Sequence, residues 1–150
     1  MKKILGLVLS LTIISAVCAA VLAYVNETTK DAIKATAAKN EAEAAKAVLC
    51  GEEGFSAIGR SPNGYGGEIV LMVGFKPDKK TVISYRTLSA AETPGLGMKL
   101  NEPEWAAQFR GKDGTGLKVK KDGGEIDAIT SATITSRAVC EAIADAQSRL

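Results

Sequence analysis

The chain has 150 residues, of which 46% are hydrophobic and 24% charged, with a formal net charge of +2. That composition suits one folded domain plus a short extra element and excludes a disordered chain. Outside Lys2 and Lys3 the basic and acidic residues balance, so there is no clustered positive footprint for a nucleic acid, and the lack of histidine excludes a His-dependent triad and the commonest zinc ligand.

Met1–Lys3 is a short basic start, and from Ile4 to Val25 no residue is charged. That run exceeds the roughly 20 residues a helix needs to cross a bilayer. Lys2 and Lys3 favour a cytoplasmic start, which predicts that the rest lies outside the cytoplasm. A cleaved signal peptide is the alternative reading, for which Ala16, Ala19 and Ala20 supply small residues.

Asn26–Cys50 is rich in alanine, lysine and glutamate and holds neither glycine nor proline. It predicts a helix continuing out of the membrane, with small apolar side chains that suit a stalk. Gly51 and Gly54 end the helical pattern. The expected organisation is therefore a start and anchor over 1–25, a helical stalk over 26–50 and an extracytoplasmic domain over 51–150.

Ser61–Gly67 is turn-rich. Ile69–Phe75 reads as a strand, Pro77–Lys80 as a turn and Thr81–Leu88 as a second strand, which together make an antiparallel hairpin. Ala91–Gly97 is a loop, and Pro103–Phe109 a short helix with Trp105 and Phe109 on one face. Leu117–Lys120 and Glu125–Ile129 read as short strands around a Gly123-Gly124 turn. From Thr135 the pattern is helical, with Val139, Ile143, Ala146 and Leu150 on one side. The fold class is α+β: a single N-terminal transmembrane helix, then a compact domain with an antiparallel sheet and a C-terminal helix. Cys18, Cys50 and Cys140 lack C-x-x-C spacing and read as small buried apolar residues, with a Cys50–Cys140 disulfide open in an oxidising compartment.

Five hydroxyl residues, Thr130, Ser131, Thr133, Thr135 and Ser136, crowd the approach to the last helix. One reading is a polar loop with a hydroxyl N-cap. The other is a phosphate site, because free amides and the helix dipole favour an anion there and Arg137 is placed to add charge.

Asp127-x-x-Thr130-Ser131-Ala132-Thr133 resembles the flavinylation motif D-x-x-[ST]-G-A-T, with Ser131 where glycine is usual. It is similar to that of the FMN-binding subunits of the ion-translocating Rnf and Na⁺-translocating NADH:quinone reductase complexes. Further anchors are Gly64-Tyr65-Gly66-Gly67 before a strand, Glu92-Thr93-Pro94-Gly95-Leu96-Gly97, and Trp105, Gln108, Phe109, Gly111 and Lys112. The resemblance implies FMN joined by a phosphoester to Thr133, attached by a dedicated flavin transferase. It implies that Glu92, Thr93, Leu96 and Gly97 pack near the isoalloxazine. Thr130, Ser131, Ala132 and Lys112 are the remaining expected cofactor-binding residues. The implied protein is an electron-transfer subunit of a membrane-bound ferredoxin:NAD oxidoreductase of the Rnf type, working with other membrane, iron-sulfur and flavin subunits. It would complete no substrate reaction alone. The alternatives are the FMN-bearing C subunit of the Na⁺-translocating reductase or a stand-alone tethered flavoprotein.

Overall fold

The structure is a computed structural model describing residues 2–150, with side chains described from residue 4 onward. The basic start therefore lies outside the described side chains. Two compact units are present, 1–39 and 40–150.

Helix α1 spans Lys2–Val48. No glycine or proline stands between Leu7 and Val48, which keeps its hydrogen-bond ladder unbroken. Its apolar N-terminal part is long and uncharged enough to cross a membrane, and Ile4, Leu11, Ile14 and Leu22 are all exposed along it. An all-round apolar exposed helix finds its favourable solvent in lipid rather than water.

The second unit holds a three-stranded antiparallel sheet in the order β1 (Phe55–Ser61), β2 (Ile69–Phe75), β3 (Val82–Ser89). Central β2 is buried along its whole length, which explains a continuous apolar run rather than an alternating one. One of its faces gives Ile69, Leu71, Val73 and Phe75 to the main core, with Val139, Ile143 and Ala146 from the last helix, α3 (Thr133–Ser148). The other face gives Met72 to a smaller cluster with Ala44 and Val48 from the end of α1. Each of the larger of these side chains, the alanines aside, contributes about 1.5–3 kcal/mol by leaving water. The last turns of α1 thus belong to the compact unit, which begins at Asn40, ahead of the Gly51 break in the sequence pattern.

Two glycines permit this layering. A Cβ on Gly59 in β1 would stand 1.8 Å from the Ala142 carbonyl oxygen, and one on Gly74 would stand 2.5 Å from that of Val48. Both helices press on the sheet where no side chain intervenes. Ser84 of β3 donates its hydroxyl to the Val48 carbonyl at 2.8 Å, closing the C-terminal end of α1.

Several expectations need correction. β1 runs over 55–60, for which no element was expected, and takes in Ser61 from the segment expected to be turn-rich. Leu117–Lys120 and Glu125–Ile129 do not form strands: a single bridge joins Val119 to Ile126, and Lys120–Asp122 is a 3-10 turn. The Asp127 amide and carbonyl are instead taken by the Gln108 and Trp105 side chains, so no ladder extends there. α3 begins at Thr133, two residues ahead of the expected start. Cys140 is buried as expected, but Cys18 and Cys50 are exposed, and all three are free thiols. Cys50 sits at a positive φ of 50° just past the helix end, where the chain turns outward.

Candidate functional site

The loop before α3 is held from several directions. The Trp105 indole donates to the Asp127 carbonyl at 2.7 Å, and Gln108 accepts from the Asp127 amide at 2.7 Å. Trp105 itself is fixed edge-on to Phe109, with ring centroids 5.1 Å apart. Two residues on, the buried Ser136 hydroxyl accepts from the Ile129 amide at 2.9 Å and donates to the Ala132 carbonyl at 3.0 Å. Between these ties the chain turns at Ser131, whose φ is 62°. That left-handed conformation costs an L-residue about 1–2 kcal/mol and favours glycine. The position where the motif usually has glycine is therefore the one whose backbone calls for it, and Ser131 adopts it.

The residue preceding α3 is Ala132, with no side-chain cap. The hydroxyl cap expected from the sequence is absent, because α3 starts at Thr133 and its N-cap position falls on Ala132, which has no hydroxyl. The amides of the first helical turn have no intrahelical acceptor and carry the positive end of the helix dipole.

Facing this turn is the loop after β3. The Thr93 carbonyl accepts from the amides of Leu96 and Met98, each at 3.2 Å, around a turn with Pro94 and Gly95 at its centre and Gly95 at φ 74°. Glu92 is 6% exposed and anchors three segments. Its Oε1 accepts from the Gly66 amide at 3.2 Å, and its Oε2 accepts from the Thr135 hydroxyl at 2.7 Å. Gly97 must be glycine, since a Cβ there would come within 2.4 Å of that same carboxylate.

The result is an open cleft of about 540 Å³. Glu92, Thr93, Leu96 and Gly97 form one wall, residues 131–135 the opposite one, and Tyr65 the rim. Six of the expected site residues other than Thr133 meet here: Glu92, Thr93, Leu96, Gly97, Ser131 and Ala132. Thr133 is half-buried between them. Thr130 is exposed and does not line the cleft. Lys112 lines a separate surface pocket, with its Nζ on Glu125 at 2.5 Å. Arg137 is not free to add charge, because its Nε and Nη2 grip Asp122 at 2.6 and 2.7 Å. Asp127 is likewise paired, with Lys120 at 2.8 Å.

Three contributors escaped the sequence reading. Tyr65 and Ile134 are 72% and 48% exposed and, with Leu96 at 43%, give the cleft an apolar lip. Lys121 donates to the Thr133 hydroxyl at 3.2 Å. The Gly64-Tyr65-Gly66-Gly67 pattern carried a signal for Tyr65; nothing in the spacing pointed to Lys121.

The FMN-binding domain profile matches residues 64–148, which include both walls of the cleft. The chain belongs to this FMN-binding family. Among its relatives, the G subunit of the ion-translocating oxidoreductase complex of Shewanella baltica is 46% identical over 93 residues, covering 57% of this chain and 43% of that protein. The same-named protein of Vibrio atlanticus is 45% identical over 93 residues, covering 57% and 44%. The matched region thus spans less than half the length of these two relatives. That of Methanosarcina acetivorans is 29% identical, with 95% of this chain and 92% of that protein aligned. Among solved structures, the C subunit of the Na⁺-translocating NADH-quinone reductase from Parabacteroides distasonis superposes with a TM-score of 0.55 at 25% identity, covering 67% of this chain and 56% of that one.

The cleft of this FMN-binding domain fits its cofactor on its own terms. An uncapped helix start and the Lys121 ammonium suit a phosphate, while the lip of Tyr65, Leu96 and Ile134 suits a flat, largely apolar ring.

Proposed function

We propose that this protein is the FMN-carrying electron-transfer subunit of a membrane-bound ion-translocating oxidoreductase of the Rnf type. The observation that carries the reading is the meeting of the Glu92–Gly97 loop and the Thr133 turn across one cleft in an FMN-binding domain. The G-subunit relatives support the assignment to this type of complex. Resemblance to the C subunit of the reductase favours the second reading, the same role in a Na⁺-translocating NADH:quinone reductase.

In this reading FMN is joined through its phosphate to the Thr133 hydroxyl, and a flavin transferase makes the link. When bound, FMN takes up and releases electrons, and the chain's own residues position it and tune it. Glu92 holds the loop from Gly66 to Thr135 and so fixes the wall against which the ring lies. Leu96 and Ile134 withdraw part of the ring from water. Thr93, Gly97, Ser131 and Ala132 shape the space between ring and phosphate. Lys112 and Thr130, expected from the resemblance to bind the cofactor, lie outside the cleft and have no role in this reading. Residues 1–25 anchor the chain in the cytoplasmic membrane, 26–50 form the stalk and 51–150 lie on the periplasmic or extracellular side. The neighbouring membrane, iron-sulfur and flavin subunits supply the electron and take it on.

The test is the protein made with and without a flavin transferase. A flavin absorbance that survives denaturation, with an intact mass raised by one FMN less water, is expected only with the transferase. Unmodified mass under both conditions would overturn the covalent assignment.

A further inference from the structure

We infer that Lys121 is the residue that binds the phosphate joined to Thr133, an assignment that rests on the reading of Thr133 as the flavin-bearing residue. The Lys121 Nζ donates to the Thr133 Oγ at 3.2 Å, so an ammonium group already stands at the atom that would carry the ester.

Three neighbouring cations are engaged elsewhere. Arg137 is held by both carboxylate oxygens of Asp122, Lys120 by Asp127, and Lys112 by Glu125. Among the described residues, Lys121 makes no side-chain hydrogen bond except that to Thr133, though it feels the field of Asp122. An ammonium has three N–H donors, so two are left for other oxygens. A phosphodiester at neutral pH keeps one negative charge on two non-bridging oxygens. The bridging ester oxygen is a weak acceptor, so the lysine's donors pass to those two as the hydroxyl loses its hydrogen.

The backbone presents Lys121 this way for definite reasons. It lies in the 3-10 turn Lys120–Asp122, which Gly123 ends at φ 80°. A Cβ on Gly124 would stand 2.0 Å from the Lys118 carbonyl oxygen, so only glycine permits the chain to double back so tightly. The Val119–Ile126 bridge then closes the fold-back and brings Lys121 over the start of α3. A charge on a flexible stem suits this place, because it can follow the phosphate from hydroxyl to ester.

The experiment uses the full chain in detergent, loaded by the transferase from FAD, with Lys121→Met, Lys121→Arg and, as a surface control, Lys118→Met. Loading of the Lys121→Met protein should be slower by about tenfold, as expected for loss of one charge-assisted contact, with the arginine variant largely restored and the control unchanged. A second measurement separates phosphate binding from recognition by the transferase. Purified parent protein, loaded and unloaded, is acylated with an amine reagent and the labelled lysines are mapped by mass spectrometry. Lys121 should be protected several-fold on loading while Lys118 stays equally reactive. Equal reactivity of Lys121 in the two forms would overturn the inference, whatever the loading rates. Equal loading rates of parent and Lys121→Met would also overturn it. Parent protein that takes up no flavin would instead refute the underlying assignment of Thr133, and the inference with it.

Discussion

Thr135 and Glu92 lie 43 positions apart, yet the Thr135 hydroxyl donates to the Glu92 carboxylate at 2.7 Å in a buried site. This bond ties the first turn of α3 to the loop that forms the opposite wall of the cleft. The other carboxylate oxygen takes the Gly66 amide, so one side chain sets the spacing of three segments. Glu92→Gln puts an amide donor where one of two donors already points. It should destabilise the domain by about 1–3 kcal/mol, as should Thr135→Val, which orphans the carboxylate oxygen. Urea denaturation of both variants and the double variant checks this. The double variant should cost less than the sum of the singles, and strict additivity would show that the pair is not coupled.

Ser131 offers a prediction of opposite sign. Its φ of 62° is strained for any residue with a Cβ. Ser131→Gly should raise stability by about 0.5–1 kcal/mol, the relief of strain exceeding the added freedom of the unfolded chain. Ser131→Val should lower it by more than that. Thermal unfolding in parallel is the measurement, and a glycine variant less stable than the parent would count against strain at this turn.

The elements around this turn show what a sequence can and cannot disclose. β2 was legible because Ile69–Phe75 is an unbroken apolar run, and β3 followed from the turn at Pro77–Lys80. β1 was not, since Phe55-Ser56-Ala57-Ile58-Gly59 has one β-branched residue and a glycine. Its reason for being a strand is Gly59, which lets Ala142 of α3 approach, and that is a tertiary fact. The cleft walls were legible through motifs whose glycines serve local turns. Lys121 was not, because its approach to Thr133 depends on the doubling-back at Gly123-Gly124 rather than on any periodic spacing. The hydroxyl-cap reading failed for a related reason: α3 starts two residues earlier than the sequence pattern, which puts Ala132 at the cap position.

The cysteines give a pH-dependent prediction. Burial, with the field of Glu141 adding to it, pushes the Cys140 thiol up from an ordinary 9.0 to about 12. The unfolded chain therefore releases this proton at a lower pH than the folded one. The stability contributed by keeping Cys140 neutral is fully present below about 9 and is lost as pH rises toward 12. Tyr85, also raised by burial, acts in the same direction, so the comparison needed is with Cys140→Ala. Between about pH 9 and 11 that variant should lose less stability than the parent, the difference growing by about 1.4 kcal/mol per pH unit. In thiol labelling at neutral pH, exposed Cys50 should react at once and Cys140 only on unfolding. Fast labelling of Cys140 in the folded protein would contradict its place in the core.

The last prediction concerns which hydroxyl carries the flavin. The structure reduces the choices that the sequence left open. Thr135 is buried and committed to Glu92, and Ser136 is buried and committed to Ile129 and Ala132. Thr130 is exposed away from the cleft, and Ser131 occupies the strained turn. Thr133 lines the cleft, is half-exposed and has a lysine at its oxygen. Thr133→Ala should therefore abolish covalent FMN while leaving a folded domain, because its hydroxyl neither caps the helix nor supports the core. Thr130→Ala and Thr135→Val should both retain FMN, the latter on a less stable protein. Trypsin cuts after Lys121 and Arg137, so the peptide Asp122–Arg137 carries every hydroxyl in question, and tandem mass spectrometry on it locates the ester. In-gel flavin fluorescence of the three variants gives an independent reading. Flavin retained on Thr133→Ala, or an ester mapped to Thr130 or Thr135 in the parent, would refute the assignment.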